Sequence, residues 1–164
     1  PVILNESIQD HSKSNSDKYD VVTCFQVLEH IYEVRDFLDS CISCLKPGGK
    51  LIISVPNNDS FVGKDMGNDL LNMPPHHMGL WDAKSLHYLT RIFPLKLQKI
   101  NFEPIRSIHV PIFVSLYETF FFSRNVKMIR LFRDLKIKGL IKKILLKFPF
   151  LVKGHTVFSV FTKL

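Results

Sequence analysis

Residues 19–31 read "YDVVTCFQVLEHI", and the fold turns on them. The centre of the stretch, "DVVTCF" (20–25), is short and nearly continuous in its apolar character, and the polar run "DHSKSNSDK" (10–18) precedes it. That pattern predicts a strand buried on both faces of a parallel sheet. An acid and a histidine, Glu29 and His30, then stand where the strand stops. In an open α/β sheet the residues just past a strand's carboxyl end face the ligand crevice, so Phe25 to His30 are expected to line it.

Beyond it, Val34, Phe37, Leu38, Cys41, Ile42 and Leu45 recur at i, i+3, i+4, i+7, i+8 and i+11, one apolar helix face turned to a sheet. "KPGGK" (46–50) stops that helix, because proline cannot continue it and Gly48 or Gly49 can take a left-handed cap. "LIISVP" (51–56) is a second buried strand, which completes a βαβ unit with a right-handed crossover. A long loop (57–80) follows, then a helix over "WDAKSLHYLTRIF" (81–93) with Asp82 as N-cap and Trp81 and Leu86 as a hydrophobic staple. "EPIRSIHV" (103–110) and "HTVFSVFTKL" (155–164) read as two further strands. Residues 112–153 carry no strand signal and are read as an inserted helical segment.

A chain of 164 residues with 46% hydrophobic and 23% charged residues is one globular domain and neither disordered nor disulfide-dense. No apolar run approaches the ~18 residues of a membrane span and no signal peptide opens the sequence, so a soluble, cytoplasmic location is expected. Cys24, Cys41 and Cys44 are an odd set and fit a core role better than a metal site. The net charge of +7 is local: ten Lys and Arg residues between 124 and 153 face only Asp134.

Taken together, "YDVVTCFQVLEHI", "LKPGGKLIISVPN" and "PPHHMGLWDAKSLHYL" resemble the second half of class I S-adenosylmethionine-dependent methyltransferases, in the branch of the ubiquinone-biosynthesis O-methyltransferases. The resemblance implies a Rossmann-like α/β sheet of strand order 3-2-1-4-5-7-6 with the seventh strand antiparallel. On that pattern "VILNESI" (2–8) would be strand three, 20–25 strand four, 51–55 strand five, 103–110 strand six and 155–163 strand seven. Strands one and two and the glycine-rich loop would be missing, since no G-x-G-x-x-G occurs. The chain is therefore expected to be one partial methyltransferase domain (1–164), truncated at its N-terminus, with 112–153 as a helical insertion before the last strand. Residues 1–10 should lack a ladder partner, and this piece alone should bind cofactor weakly and be inactive.

The implied reaction is methyl transfer from S-adenosylmethionine to an oxygen or nitrogen of a small-molecule or lipid-like acceptor. His30 is expected to be the base that removes the acceptor's proton, oriented by Glu29. The plainer alternative has Glu29 capping the following helix and His30 packing beside it. Ser7 and Ile8 match the family's adenine contact, where an Asp is usual, and Phe25 and Gln26 are expected beside the methionine end. His76 and His77 are expected to face the acceptor. In some relatives E-x-x-E-H and a later histidine hold a divalent metal; Gln26 replaces the first Glu here, and no metal is expected. A non-catalytic binding protein of the same fold is the rival from another class.

In "NVKMIRLFRDLKIKGLIKKILLKF" (125–148), apolar residues at near-helical spacing alternate with Lys and Arg, which makes a basic amphipathic helix bent near Gly139. It is expected to fold over the sheet's carboxyl edge as a lid, burying Ile141, Ile144 and Leu145 around the acceptor. Peripheral contact with an anionic membrane is the alternative. Nucleic acid is not expected, because no interleaved aromatics or RNA-binding motif accompany the charges.

Overall fold

The computed structural model describes residues 2–61, 70–122 and 137–164, apart from the side chains of 71 and 117–122. Arg124, Lys127, Arg130, Arg133 and Lys136, and with them the first half of the expected basic helix, lie outside the described residues.

A short helix α1 (Ile8–Ser14) leads into β1 (Tyr19–Phe25), and α2 (Val34–Cys44) joins β1 to β2 (Leu45–Pro56). Next come α3 (Ala83–Ile92), β3 (Leu95–Pro104), α4 (Val110–Phe122), α5 (Ile137–Lys147) and β4 (Lys153–Lys163). The sheet runs β1-β2-β4-β3. β1 and β2 are parallel neighbours, with Val22 opposite Leu51 and Cys24 opposite Ile53, whereas β4 is antiparallel to both β2 and β3. That order is the 4-5-7-6 half of the sheet expected from the resemblance.

One face of the central strands is fully covered, whereas β1, expected to be buried on both faces, leaves Val21 and Phe25 47% and 53% exposed because no layer among the described residues covers them. Leu51, Ile53, Val55, Val157 and Phe161 have no exposure, and Leu38 of α2 and Leu86 of α3 close over them. Each such leucine contributes roughly 1.5–3 kcal/mol over its exposed state. Cys24, Cys41 and Cys44 are buried free thiols in or beside this core. Burial pushes Cys24 up to about 11 and Cys41 to about 12, which makes them poor nucleophiles. The capping box of α3 forms as its sequence predicts: the Asp82 carboxylate accepts from the Ser85 N–H and the Ser85 hydroxyl from the Asp82 N–H.

Three expectations are corrected. Residues 2–7 form no strand; among the described residues none lies beside them to complete a ladder, and an isolated extended segment has no way to pair its backbone. The strand expected at 103–110 lies at Leu95–Pro104 instead. Pro104 ends the ladder, and the Ile105 N–H turns to the Pro149 carbonyl at 3.1 Å, so 107 onward coils into a helical turn and α4. "KPGGK" does not cap α2, which already ends at Cys44. It forms a bulge in β2, where pairing jumps from Tyr19–Leu45 to Val21–Lys50, and Gly48 takes φ +77° there.

At the carboxyl edge the buried Asn57 ties β2 to β4, its N–H donating to the His155 carbonyl at 2.6 Å and its side-chain amide to the Gly154 carbonyl at 3.4 Å. Ile105, Val110, Val114 and Leu145 make a second core, with Phe61, Phe113 and Ile141 against it. Phe61, just beyond β2, meets Phe113 of α4 edge-to-face at 4.9 Å, which brings this helical layer to the loop at the carboxyl edge. The expected burial of three residues of α5 holds fully for Leu145 and partly for Ile141, whereas Ile144 is 41% exposed. Among the described residues no helix is long and apolar enough to cross a membrane.

Candidate functional site

The chain leaves β1 through Gln26, a non-glycine residue at φ +53°. A left-handed Gln is uncommon and marks a position the surroundings impose. Its N–H donates to the Ser54 carbonyl at 2.8 Å and its side-chain amide to the Ser54 hydroxyl at 3.1 Å, so β2 holds the turn. The turn redirects the chain into a 3-10 segment, Leu28–His30, at the crevice.

Glu29 is 2% exposed, and its Oε2 has no hydrogen-bond partner. Burial raises its pKa, against smaller opposing contributions from its own backbone N–H and from His30. The Glu29 carbonyl accepts from the N–H groups of Met78 at 2.7 Å and Gly79 at 3.1 Å, which pins the later loop against this segment. Glu29 therefore caps no helix; the N-cap of α2 is Glu33.

His30 is half-exposed, and its Nδ1 lies 2.5 Å from the carbonyl oxygen of His76. A carbonyl only accepts, so Nδ1 carries a proton, and the nitrogen left to offer a lone pair is Nε2. Glu29 Oε1 is 4.0 Å from that Nε2, too far for a hydrogen bond. The expected orienting role thus passes from Glu29 to the main chain of His76, while the His76 side chain itself is exposed.

His77 is fixed by a chain of amides. The Trp81 carbonyl accepts from Asn58 Nδ2 at 3.3 Å, Asn58 Oδ1 accepts from Asn72 Nδ2 at 3.3 Å, and Asn72 Oδ1 sits 2.9 Å from His77 Nδ1. Each amide's orientation follows from the one before it, so His77 also holds its proton on Nδ1 and leaves Nε2 free. The two imidazoles meet edge-to-face at 4.9 Å. Burial, then the neighbouring His30, His76 and His155, lowers the His77 pKa and favours the neutral ring. Ligand atoms of Glu29, His30 and His77, one from each, lie within 4.8 Å of one another. Two imidazoles and a buried carboxylate are a chemically suitable donor set for a divalent cation, so this group fits a metal even with Gln26 turned to Ser54.

The expected cofactor residues divide. Phe25 is 53% exposed at the end of β1, beside the left-handed turn of Gln26, and offers an aromatic face with a fixed amide next to it. Those two fit one wall of a cofactor cradle. The Ser7 hydroxyl is engaged with Asp10, accepting from its N–H at 3.0 Å and donating to its carboxylate at 2.7 Å as the N-cap of α1, and Ile8 packs against the main core.

Sequence reading missed Asn58 and Asn72, whose signal was only an Asn-rich loop, and a second polar group at the same edge. His155 and His109 face each other at 6.3 Å beside Glu103. Nδ1 of both histidines and Oε2 of Glu103 are buried with no hydrogen-bond partner.

A family model described as a methyltransferase domain matches residues 3–103. The chain is similar to the ubiquinone biosynthesis O-methyltransferase of Vibrio vulnificus (strain YJ016), 38% identical over 56 residues, which are 34% of this chain and 24% of that protein. The protein of the same name from Serratia proteamaculans (strain 568) is 33% identical over 57 residues, 35% of this chain and again 24% of that one. The matched stretch thus spans about a quarter of these relatives' length. Among solved structures, a SAM-dependent methyltransferase from Archaeoglobus fulgidus superposes with a TM-score of 0.56 at 20% identity, covering 98% of this chain and 66% of that one. That likeness establishes the fold, and the family match covers more than half of the chain: it belongs to the methyltransferase domain family, with the sheet of the class I S-adenosylmethionine-dependent enzymes.

Proposed function

We propose that the full-length protein transfers a methyl group from S-adenosylmethionine to an oxygen or nitrogen of a small-molecule acceptor, with His30 as the base. The observation that carries this is the hydrogen bond from His30 Nδ1 to the His76 carbonyl, which leaves a half-exposed Nε2 lone pair at the carboxyl edge of the sheet. When bound, S-adenosylmethionine supplies an electrophilic methyl group on a sulfonium. Phe25 and Gln26 form the wall against which it is held. His30 Nε2 accepts the proton that the acceptor's hydroxyl or amine gives up, a step worth about 10²–10⁴-fold when the base is positioned. Buried Glu29 stands 4.0 Å away, where its charge stabilises the imidazolium so formed. His77, held neutral, supplies a second lone pair facing the acceptor.

A second reading is favoured by the meeting of Glu29, His30 and His77 within 4.8 Å: these residues would hold a divalent cation, which polarises an acceptor oxygen and lowers its pKa. The two readings separate in one assay. Transfer of labelled methyl groups to acceptors is measured before and after chelation. Undiminished turnover in chelator supports the base alone, and loss restored by Mg²⁺, Mn²⁺ or Zn²⁺ supports the cation. Absence of transfer to any acceptor, with cofactor bound, contradicts both and leaves a binding protein.

A further inference from the structure

We propose that the outer face of α5 and the turn after it form a docking surface for an anionic lipid membrane. On α5 the inner side is accounted for, since Leu145 and Ile141 pack with Val110 and Val114 in the second core. The side next to it is exposed among the described residues. Leu140, Ile144 and Phe148 follow at i, i+4 and i+8, one stripe along the helix, and are 60%, 41% and 40% exposed. The chain then turns through a 3-10 segment, Pro149–Leu151, which sets out Phe150 and Leu151 at 70% and 59% exposure. With Leu146, 48% exposed on another side of α5, six large apolar side chains within twelve residues are presented to solvent, a density that globular surfaces rarely carry without a partner.

Charge selects the partner. Residues 137–153 contain Lys138, Lys142, Lys143, Lys147 and Lys153 and no Asp or Glu. Lys143 and Lys147 lie three positions after Leu140 and Ile144 and so flank the stripe, and the Lys147 ammonium sits 5.5 Å from the Phe148 ring centroid, so charge and apolar surface adjoin. An acidic protein or a nucleic acid would engage the lysines but has no need of Leu140 and Leu151. A bilayer interface takes both at once, with the stripe lodged at the acyl boundary and the ammonium groups among anionic headgroups. The helix has eleven residues, which suits lying on such a surface. The lid reading needs Ile144 buried, whereas its 41% exposure leaves it to this surface, and the proposal does not depend on the methyl-transfer chemistry.

The test is co-sedimentation of the full chain with vesicles of phosphatidylcholine alone or with about 30% phosphatidylglycerol, at about 50 mM and 500 mM NaCl, spanning strong to weak screening. Binding is expected only to the anionic vesicles and should weaken at least tenfold at high salt. The exposed pair Lys143→Glu with Lys147→Glu should abolish it, and Leu140→Ser with Ile144→Ser should weaken it at low salt while circular dichroism stays unchanged. Equal binding to neutral vesicles, no binding to either, or indifference to both double variants would overturn the proposal. So would binding to a single-stranded oligonucleotide in place of vesicles.

Discussion

The His30 side chain and the His76 carbonyl, 46 residues apart in sequence, are joined by a hydrogen bond of 2.5 Å. Two loops meet in that contact: one leaves the carboxyl end of β1, and the other returns from β2. It assigns the tautomer of His30, and the backbone bonds from Met78 and Gly79 to the Glu29 carbonyl keep the loops together. Reactivity at Nε2 is therefore a property of the junction of the two loops.

Asn72 acts on the site through His77, because its carbonyl oxygen fixes the ring's proton on Nδ1. Asn72→Ala should lower kcat by about 10-fold, or lower the affinity for an activating cation by about 10–100-fold, with cofactor affinity unchanged. Steady-state kinetics with and without added metal reads both. Asn72→Asp, which keeps the accepting oxygen, should restore most of the loss, and equal defects in the two variants would count against an orienting role.

Glu29 has a folded-state pKa raised above its ordinary value near 4.5. The native state then binds more protons than the unfolded one, so this group's contribution is full below about pH 4.5 and is lost as pH rises through the folded value. Glu29→Gln should consequently be the more thermostable protein at pH 7, by about 2–4 °C in Tm for each kcal/mol relieved, and the gain should vanish on acidification. Thermal denaturation of both proteins at pH 4 and pH 7 checks this, and a destabilised variant at pH 7 would mean that Glu29 has a stabilising partner in solution.

His155 shifts the other way. Burial, then His109 and Arg106, lowers its pKa against the raising effect of Glu103. Protonation thus favours the unfolded chain: stability is full above the unfolded value near 6.5 and falls as pH drops through it toward the folded value. His77 contributes with the same sign. Replacing His155 by Gln should flatten the fall in Tm between pH 7.5 and pH 5.5, and parallel curves for the two proteins would assign the acid sensitivity elsewhere.

Gly154 lies where β4 passes the end of β3, and a Cβ there would stand 2.5 Å from the Glu103 carbonyl oxygen and 2.7 Å from that of Pro104. Both are backbone atoms, so the strands themselves must separate. Gly154→Ala should cost about 1–3 kcal/mol in urea denaturation. A cost within the scatter of surface substitutions, about 0.5 kcal/mol, would show that the two strands part freely at this point.

Much of the fold was legible because its signals are local. The β-branched run of β1, the 3.6-residue spacing in α2 and the Asp82 cap each arise within a few residues. β3 lies earlier than its expected place: "LKLQKINFEP" alternates imperfectly, since the ladder with β4 slips between Leu97 and Lys99, and the segment after Pro104 is richer in Ile and Val. The site was legible in its members and not in their roles. Glu29, His30 and His77 stood out by residue type and by their place after strands, but the carbonyl that orients His30 and the amides that orient His77 come from distant loops. Backbone acceptors carry no side-chain signature at all.

Whether His30 is the base is decided by steady-state methyl transfer with the full-length protein and its His30→Ala variant. If Nε2 takes the acceptor's proton and Phe25 and Gln26 hold the cofactor, kcat should fall about 10²-fold or more in the variant while the Kd for S-adenosylmethionine changes less than about twofold. A folded His30→Ala protein that turns over at the wild-type rate would contradict it.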